Sequence, residues 1–410
     1  MFLARFAHSS RTWRSNARLS SLIDSDELVT PSGTHGELRS IMRDLVAREI
    51  EPQAASFNRA ERLNLPLLRS LGDLGLFGLQ IPESEGGAGL DAAAVVIAHE
   101  ELSTSDPGLC LSYLAHSLLL VNNFYDNAST LQKDMYLPDM LSGKLIGGMG
   151  MSESGSGTDV MSMRSKAVRD LKGWSLTGSK MWITNGCFDE SNLGDIFLIY
   201  AKSESGLSLF LVPKNTLGFS LGQKIKDKCG MRSSATAELV FENAKLPAEA
   251  LIGYEGKGIV PMMKNLEIER IALAAMALGI ARRSLEVMGT YSGQRKAFGE
   301  EISRFGQIQT HISESFAEYQ AARSYVYRAA SLVGKGEAGS RLDSDGVKLF
   351  ATTAAKRICD RAMQVLGGNG YVGEYVVERL WRDSKLLEIG GGTLEAHQKN
   401  IAKDLTNILK

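Results

Sequence analysis

Proline stops at position 261. All nine prolines of the 410-residue chain lie at or before Pro261, and the 149 residues that follow contain none. Proline removes a backbone donor and clashes with the preceding turn, so it is the strongest bar to a helix interior. A stretch of this length without it, rich in Ala, Leu, Arg and Glu, predicts long helices joined by glycine loops. Residues from about 35 to 142 also read as mainly helical. There Thr34 and Glu37 form a capping box before a stripe of Leu38, Ile41, Met42, Leu45 and Val46, which Pro52 ends. Between the two helical parts lie GWSLTGSKMWITNG, DIFLIYA, LSLFLVP and TAELVF, short runs of β-branched and aromatic residues bounded by Gly, Asn and Pro. The expectation is a β domain between two helical ones.

Composition narrows the partners. The 46 basic and 47 acidic side chains cancel to a net charge of −1, and no local basic patch stands out, so neither nucleic acid nor an anionic membrane is an expected partner. Cys110, Cys187, Cys229 and Cys359 form no C-x-x-C pair, which argues against a disulfide framework and a zinc site and for a reducing compartment. The histidines offer no metal-like pair, and no metal is expected. Charge is uneven in one place. Residues 1–23 hold Arg5, Arg11, Arg14 and Arg18 and no acid before Asp24. That is the chemistry of a mitochondrial transit peptide, with a plain basic tail as the alternative. The longest apolar run, IALAAMALGIA between Arg270 and Arg282, is shorter than the ~18 residues a bilayer span needs, so no membrane insertion is expected.

Gly368, Gly370 and Gly373 in GGNGYVG satisfy the dinucleotide pattern G-x-G-x-x-G. The segment before them is helical in pattern, where that fingerprint requires a strand, so these glycines read as a helix end.

A carboxylate in the wrong place is more informative. Met262, Leu266, Leu273, Met276 and Ile280 form one apolar stripe, and Glu269 falls in it, with Asn265 and Leu273 at i−4 and i+4 and no local cation. Glu267, three residues from Lys264 and Arg270, reads as a solvated salt-bridge residue. An unpaired buried carboxylate costs several kcal/mol, so Glu269 needs either a remote Arg or a use. The use would be that of a general base whose pKa is raised by desolvation.

Two long motifs carry a family resemblance. One is Gly150-Met151-Ser152-Glu153 with Ser156-Gly157-Thr158-Asp159, followed by Met181-Trp182-Ile183-Thr184-Asn185-Gly186; the other is Gln364, Gly367-Gly368-Asn369-Gly370-Tyr371, Glu374, Arg379 and Asp383. On these the chain resembles the acyl-CoA dehydrogenase family over nearly its whole length after the leader. The resemblance implies an α+β fold in three segments: an N-terminal helical domain over 24–143, a central β-barrel-like domain over 144–255 and a C-terminal four-helix bundle over 256–410. It also implies FAD as cofactor, an acyl-CoA substrate, electron-transfer flavoprotein as electron acceptor, a homotetramer and a place in the mitochondrial matrix.

Carried over position by position, the resemblance assigns Ser152, Gly157 and Thr158 to the flavin or its phosphates and Trp182 and Thr184 to the isoalloxazine ring. Arg295 and Phe298 would reach the FAD of a neighbouring subunit, and Gln364, Gly367, Gly368 and Thr393 would make other cofactor contacts. Arg270, Gly390 and Tyr113 would lie against substrate.

Many members carry the base in a Tyr-Glu-Gly-Thr element, but here that segment is Gly390-Gly391-Gly392-Thr393. The base then maps to Glu269, as in the isovaleryl and long-chain branches. Gly391 would keep only a main-chain contact to the thioester oxygen. Gly390 in place of tyrosine, together with Leu111-Ser112-Tyr113-Leu114-Ala115-His116-Ser117, favours the isovaleryl branch, with Leu114 narrowing the pocket where glycine is common. The expected reaction is α,β-dehydrogenation of a short branched acyl-CoA, isovaleryl-CoA to 3-methylcrotonyl-CoA. Long-chain or other short-chain dehydrogenation, or an oxidase of the same fold, are the alternatives. Ser154 replaces a family proline, and Gln307 stands near a displaced glutamine.

Overall fold

A computed structural model describes residues 17–333 and 340–410. Most of the expected leader, residues 1–16, lies outside the described residues. The described chain begins with α1 (Ala17–Ile23), α2 (Gly33–Leu45), α3 (Glu51–Arg59), α4 (Leu65–Asp73), α5 (Ala92–Leu102), α6 (Pro107–Leu114), α7 (Asn123–Asn127) and α8 (Thr130–Leu141). Two details depart from the sequence reading. The cap of α2 is Ser32, whose Oγ accepts from His35 N, and not Thr34, which falls inside the first turn. Pro52 does not end the helical run either. A π-helical turn over Val46–Ile50 takes up the change, and α3 restarts with the proline in its first turn, where no backbone donor is needed.

The middle segment holds β1 (Gly147–Gly150), β2 (Lys166–Asp170), β3 (Gly173–Thr184), β4 (Ile196–Ser203), β5 (Gly206–Pro213), β6 (Phe219–Lys224), β7 (Thr236–Pro247) and β8 (Leu251–Ile252). They form one sheet in the order β6-β7-β3-β2-β4-β5-β8, with β1 parallel to the first half of β4. The four strands expected from composition are β3, β4, β5 and β7. The other four carry weak local signals. Strand β1 reads GGMG and exists because its backbone lies against β4 so closely that a Cβ on Gly147 would stand 1.6 Å from Ile196 O.

The C-terminal segment is α9 (Ile259–Gln294), a small hairpin of β9 (Lys296–Ala297) and β10 (Glu300–Glu301), then α10 (Gly306–Leu332), α11 (Ser340–Leu366), α12 (Val377–Leu387) and α13 (Leu394–Ile408). The glycine-rich GGNGY follows α11 as a 3₁₀ turn, so no strand precedes it. Helix α9 is the axis of the molecule, packing on α10, α11 and α12 and, from the N-terminal segment, on α5. Its small and apolar residues are buried on every side from Ile268 to Glu286, as expected of a helix with no solvent face. Helix α5 is buried throughout, including Glu100 and Glu101. These two carboxylates accept from Arg39, Arg43, Arg282, Arg323, Tyr319 and Tyr327. Burial alone would raise their pKa values, but the guanidinium charges outweigh it and hold Glu101 down at about 2.

Ile23, inside the expected leader, is 3% exposed and belongs to the main core. All four cysteines are free. Among the described residues, no helix is long and apolar enough to cross a membrane.

Candidate active site

Glu269 lies in the middle of the apolar face of α9, between buried Met262 and buried Leu273, Met276 and Ile280. The residue is 7% exposed and its Oε2 has no hydrogen-bond partner. Burial pushes its pKa up to about 7, against the pull of the Arg270 guanidinium and the Lys348 ammonium. Neither cation closes a salt bridge with it. Arg270 Nη1 turns to Asp345 Oδ1 at 3.2 Å. Lys348 Nζ, from α11, donates to the carbonyls of Leu387 at 2.6 Å and Gly392 at 3.1 Å. A remote arginine therefore does not neutralise Glu269. Glu267 departs from expectation. It is not a solvated ion-pair residue, because Lys264 pairs with Asp126 and Arg270 with Asp345, and partial burial raises its pKa.

The turn between α12 and α13 packs directly against this carboxylate. Gly390 N donates to Leu386 O and closes α12, after which Gly391 and Gly392 take φ values of +66° and +102°. A Cβ on Gly391 would stand 2.2 Å from Leu273 Cδ1 and 3.3 Å from Glu269 Oε1, so backbone and space both exclude a side chain. The Gly391 N–H meets no acceptor among the described residues. A Cβ on Gly390 would meet only Leu386, no nearer than 3.5 Å, which leaves room beside the turn. A free donor thus lies in the same turn that packs against the base. Such a pair can hold negative charge on a carbonyl oxygen while the adjacent carbon gives up its proton.

Other groups near Glu269 were not legible from spacing. Asn265, one turn earlier on the same face, is 5% exposed, and neither its amide nitrogen nor its oxygen has a partner. A polar side chain inside an apolar stripe was the available signal. Tyr200 on β4 is buried close enough for the Glu269 charge to help raise its pKa, after burial itself, and its hydroxyl accepts from Asn123 Nδ2 at 3.4 Å. Tyr113 is not free to meet a ligand through its hydroxyl, which donates to Leu76 O at 2.8 Å. Leu114 is fully buried.

The residues assigned to a flavin form two groups. In the first, β3 shifts register between Lys180 and Ile183, and the irregularity holds Trp182 at φ +67° with the residue 61% exposed. A bulge of this kind re-aims a side chain out of the sheet. Met181 N donates to Ser152 O and so ties Ser152 to the bulge. Glu153 anchors the loop that follows, accepting from Arg164 N, Ser165 N, Ser165 Oγ and, at 2.8 Å, Lys180 Nζ. Burial works against the ionised form of Glu153, but these donors hold its pKa down at about 2. Beyond it, Gly157 and Thr158 are exposed, their N–H groups face no acceptor among the described residues, and a Cβ on Gly157 would meet nothing. Ser156 Oγ is buried without a partner. Free amides, an orphan hydroxyl, and the aromatic face of Trp182 beside half-buried Thr184 fit the phosphates and ring of an FAD.

In the second group, Arg295, Phe298, Gly367 and Gly368 share a cavity of about 510 Å³ with Tyr291 and Asn369. Phe298 and Gly299 turn the β9–β10 hairpin, both with positive φ, and Phe298 is 98% exposed. Gln364 is exposed and does not line this cavity. Thr393 lies apart from it, capping α13 by accepting from Ala396 N at 3.3 Å.

A buried unpaired carboxylate against a glycine turn, with free amides and an exposed tryptophan, sits on a helix–sheet–helix frame that a known class of proteins shares. Models of the N-terminal, middle and C-terminal domains of acyl-CoA dehydrogenase match residues 32–144, 148–244 and 256–406. The mitochondrial isovaleryl-CoA dehydrogenase of Oryza sativa subsp. japonica is 39% identical over 379 residues, covering 91% of each chain. Butyryl-CoA dehydrogenase from Megasphaera elsdenii superposes with a TM-score of 0.87 at 31% identity, over 92% of this chain and 98% of that one. A glutaryl-CoA dehydrogenase from Mycobacterium smegmatis in complex with FADH2 gives 0.88 at 29% identity, over 94% and 97%. The chain belongs to the acyl-CoA dehydrogenase family, FAD-dependent oxidoreductases acting on CH–CH bonds.

Proposed function

We propose that the protein dehydrogenates a short branched acyl-CoA between Cα and Cβ, with isovaleryl-CoA as substrate and Glu269 as the base. The observation that carries this reading is a buried carboxyl with pKa about 7 facing a turn whose glycine excludes any competing side chain. Glu269 takes the α-proton. The Gly391 N–H holds the thioester oxygen as charge builds on it, and the apolar stripe keeps water from the carboxylate. FAD, when bound, supplies the redox chemistry, the acceptance of a hydride from Cβ. Ser152, Gly157, Thr158, Trp182 and Thr184 would hold it, with Arg295, Phe298, Gln364, Gly367, Gly368 and Thr393 completing the contacts across a homotetramer. Arg270 and Tyr113 would shape the acyl pocket from behind its surface.

Gly390, where a Cβ would make only ordinary contact with Leu386, and the names of similar relatives support a branched chain. The unpaired Asn265 amide supports a second reading, an acyl chain ending in a hydrogen-bonding group. Electrons would pass to electron-transfer flavoprotein in the mitochondrial matrix. A removable leader would end before Ile23, because Ile23 is buried and Asp24 pairs with Arg43 at 2.7 Å and Arg323 at 2.8 Å.

Anaerobic flavin bleaching with isovaleryl-, isobutyryl-, butyryl-, palmitoyl- and glutaryl-CoA tests the substrate. Fastest bleaching by isovaleryl-CoA is expected; faster bleaching by glutaryl-CoA would transfer the assignment to the second reading.

A further inference from the structure

The turn that carries Gly391 is held from behind by two buried side chains that converge on one oxygen. Lys348 Nζ and His397 Nε2 both reach the Gly392 carbonyl, at 3.1 and 3.0 Å, and Lys348 also reaches Leu387 O at 2.6 Å. Lys348 therefore bridges the last turn of α12 and the residue before Thr393, the cap of α13. Behind His397, Asp345 Oδ1 contacts its Nδ1 and also the Arg270 guanidinium, and Asn400 Nδ2 donates to both oxygens of Asp345. Lys348, His397 and Asp345 are each fully buried. Packing leaves the turn no slack, since a Cβ on Gly392 would stand 3.0 Å from the His397 ring.

We propose that Lys348 and His397 are positioning residues that fix the Gly391 N–H in the direction of the thioester oxygen. This inference rests on the reading of Glu269 and Gly391 given above. Two glycines with positive φ have no conformational preference of their own, so the free turn would sample many orientations. A donor contributes to catalysis only if it is aimed before charge develops. Pinning the carbonyls on both sides of Gly390–Gly392 supplies that aim without placing a cation on the reacting carbon.

Lys348 has a second effect, because its charge acts on the base. The groups facing Glu269 are Arg270 on its own helix, Lys348 from α11 and the Tyr200 hydroxyl from β4. Those facing Lys348 are Glu269, Arg270, Glu388 and Asp345. The ammonium favours ionised Glu269. Its removal raises the pH at which the base becomes competent.

The test uses holoenzyme of the wild type, Lys348→Met, His397→Leu, His397→Gln and Glu269→Gln. The probe is acetoacetyl-CoA, whose α-carbon is acidic enough for its bound enolate to be read by absorbance without turnover. We expect Lys348→Met to weaken enolate binding by about 10- to 100-fold and to move the acid limb of kcat/KM to higher pH. His397→Leu should weaken enolate binding comparably, and His397→Gln, which keeps a donor for Gly392 O, should restore most of it. If both Lys348→Met and His397→Leu lower the melting temperature but leave enolate binding and the pH profile at wild-type values, the residues are structural and the proposal is overturned. If Glu269→Gln turns over like wild type, the base assignment itself fails and takes this inference with it; a dead Glu269→Gln with unchanged Lys348→Met overturns only the positioning role.

Discussion

Replacing Glu269 by glutamine should kill the reaction and stabilise the protein, and the second effect has a pH signature. A carboxyl group whose pKa rises from 4.5 to about 7 on folding binds more protons in the native state than in the unfolded state between those values, so the wild type loses stability as pH rises through them. At about 1.4 kcal/mol per pH unit the full loss is about 3 kcal/mol above pH 8 and about 1 kcal/mol at pH 5. Glutamine cannot ionise and escapes it. Part of the gain is offset, because Lys348, itself pulled down to about 8 by burial, loses its largest attraction when Glu269 is neutral. A net gain of about 2 kcal/mol remains, which for 410 residues corresponds to a melting temperature raised by roughly 2 to 3 °C. Thermal unfolding of both holoproteins at pH 5 and pH 8.5 measures it. An equal shift at both pH values, or a less stable variant at pH 8.5, would refute the claim that Glu269 is buried without a neutralising partner.

Other outcomes follow from the same geometry. Gly391→Ala should cost about 1–3 kcal/mol and most of the turnover, because of its clash with Leu273 and its φ of +66°; adding Leu273→Ala should recover part of the stability in a denaturant titration. For the same reason a Gly391→Glu change in the Glu269→Gln background should fail to rescue activity, read as turnover. Asn265→Leu should raise the stability of the substrate-free enzyme by about 1 kcal/mol while raising KM, and an unchanged KM would remove Asn265 from the substrate site. Lys180→Met removes one of the four donors to Glu153 and leaves Arg164 N, Ser165 N and Ser165 Oγ in place, so it should cost about 1–3 kcal/mol, with weaker FAD retention on gel filtration.

Glu269 was readable in the sequence because its setting is local. One apolar stripe on one helix contains both the anomaly and its context, and the 3.6-residue period suffices to expose it. The strands β3, β4, β5 and β7 were readable for the same reason, as compact runs of β-branched and aromatic residues. Strands β1, β2 and β6 were not, since a glycine run and two polar, largely exposed segments acquire strand form only from the neighbours they pair with. The cap of α2 was misread because Ser32 and Thr34 both suit the role, and the contact of Ser32 Oγ with the His35 ring favours the earlier one. Lys348 and His397 look like ordinary helix residues in the linear chain. Their use is created by three-dimensional convergence on a carbonyl that carries no side-chain information. The Glu267 reading failed in the opposite way, because sequence spacing offered two cations that the fold commits elsewhere.

The buried carboxylates of α5 also bear on the order of assembly. Arg323 not only bonds Glu100 but donates to Ile23 O, a residue 300 positions earlier. Loop closure over that span is slow, although the neighbouring Asp24 can pair earlier with Arg43. The Ile23 carbonyl is therefore fastened only after α10 has been made, so the amino-terminal end is held less firmly, and lies more open to a protease or a translocation channel, until about four-fifths of the chain exists.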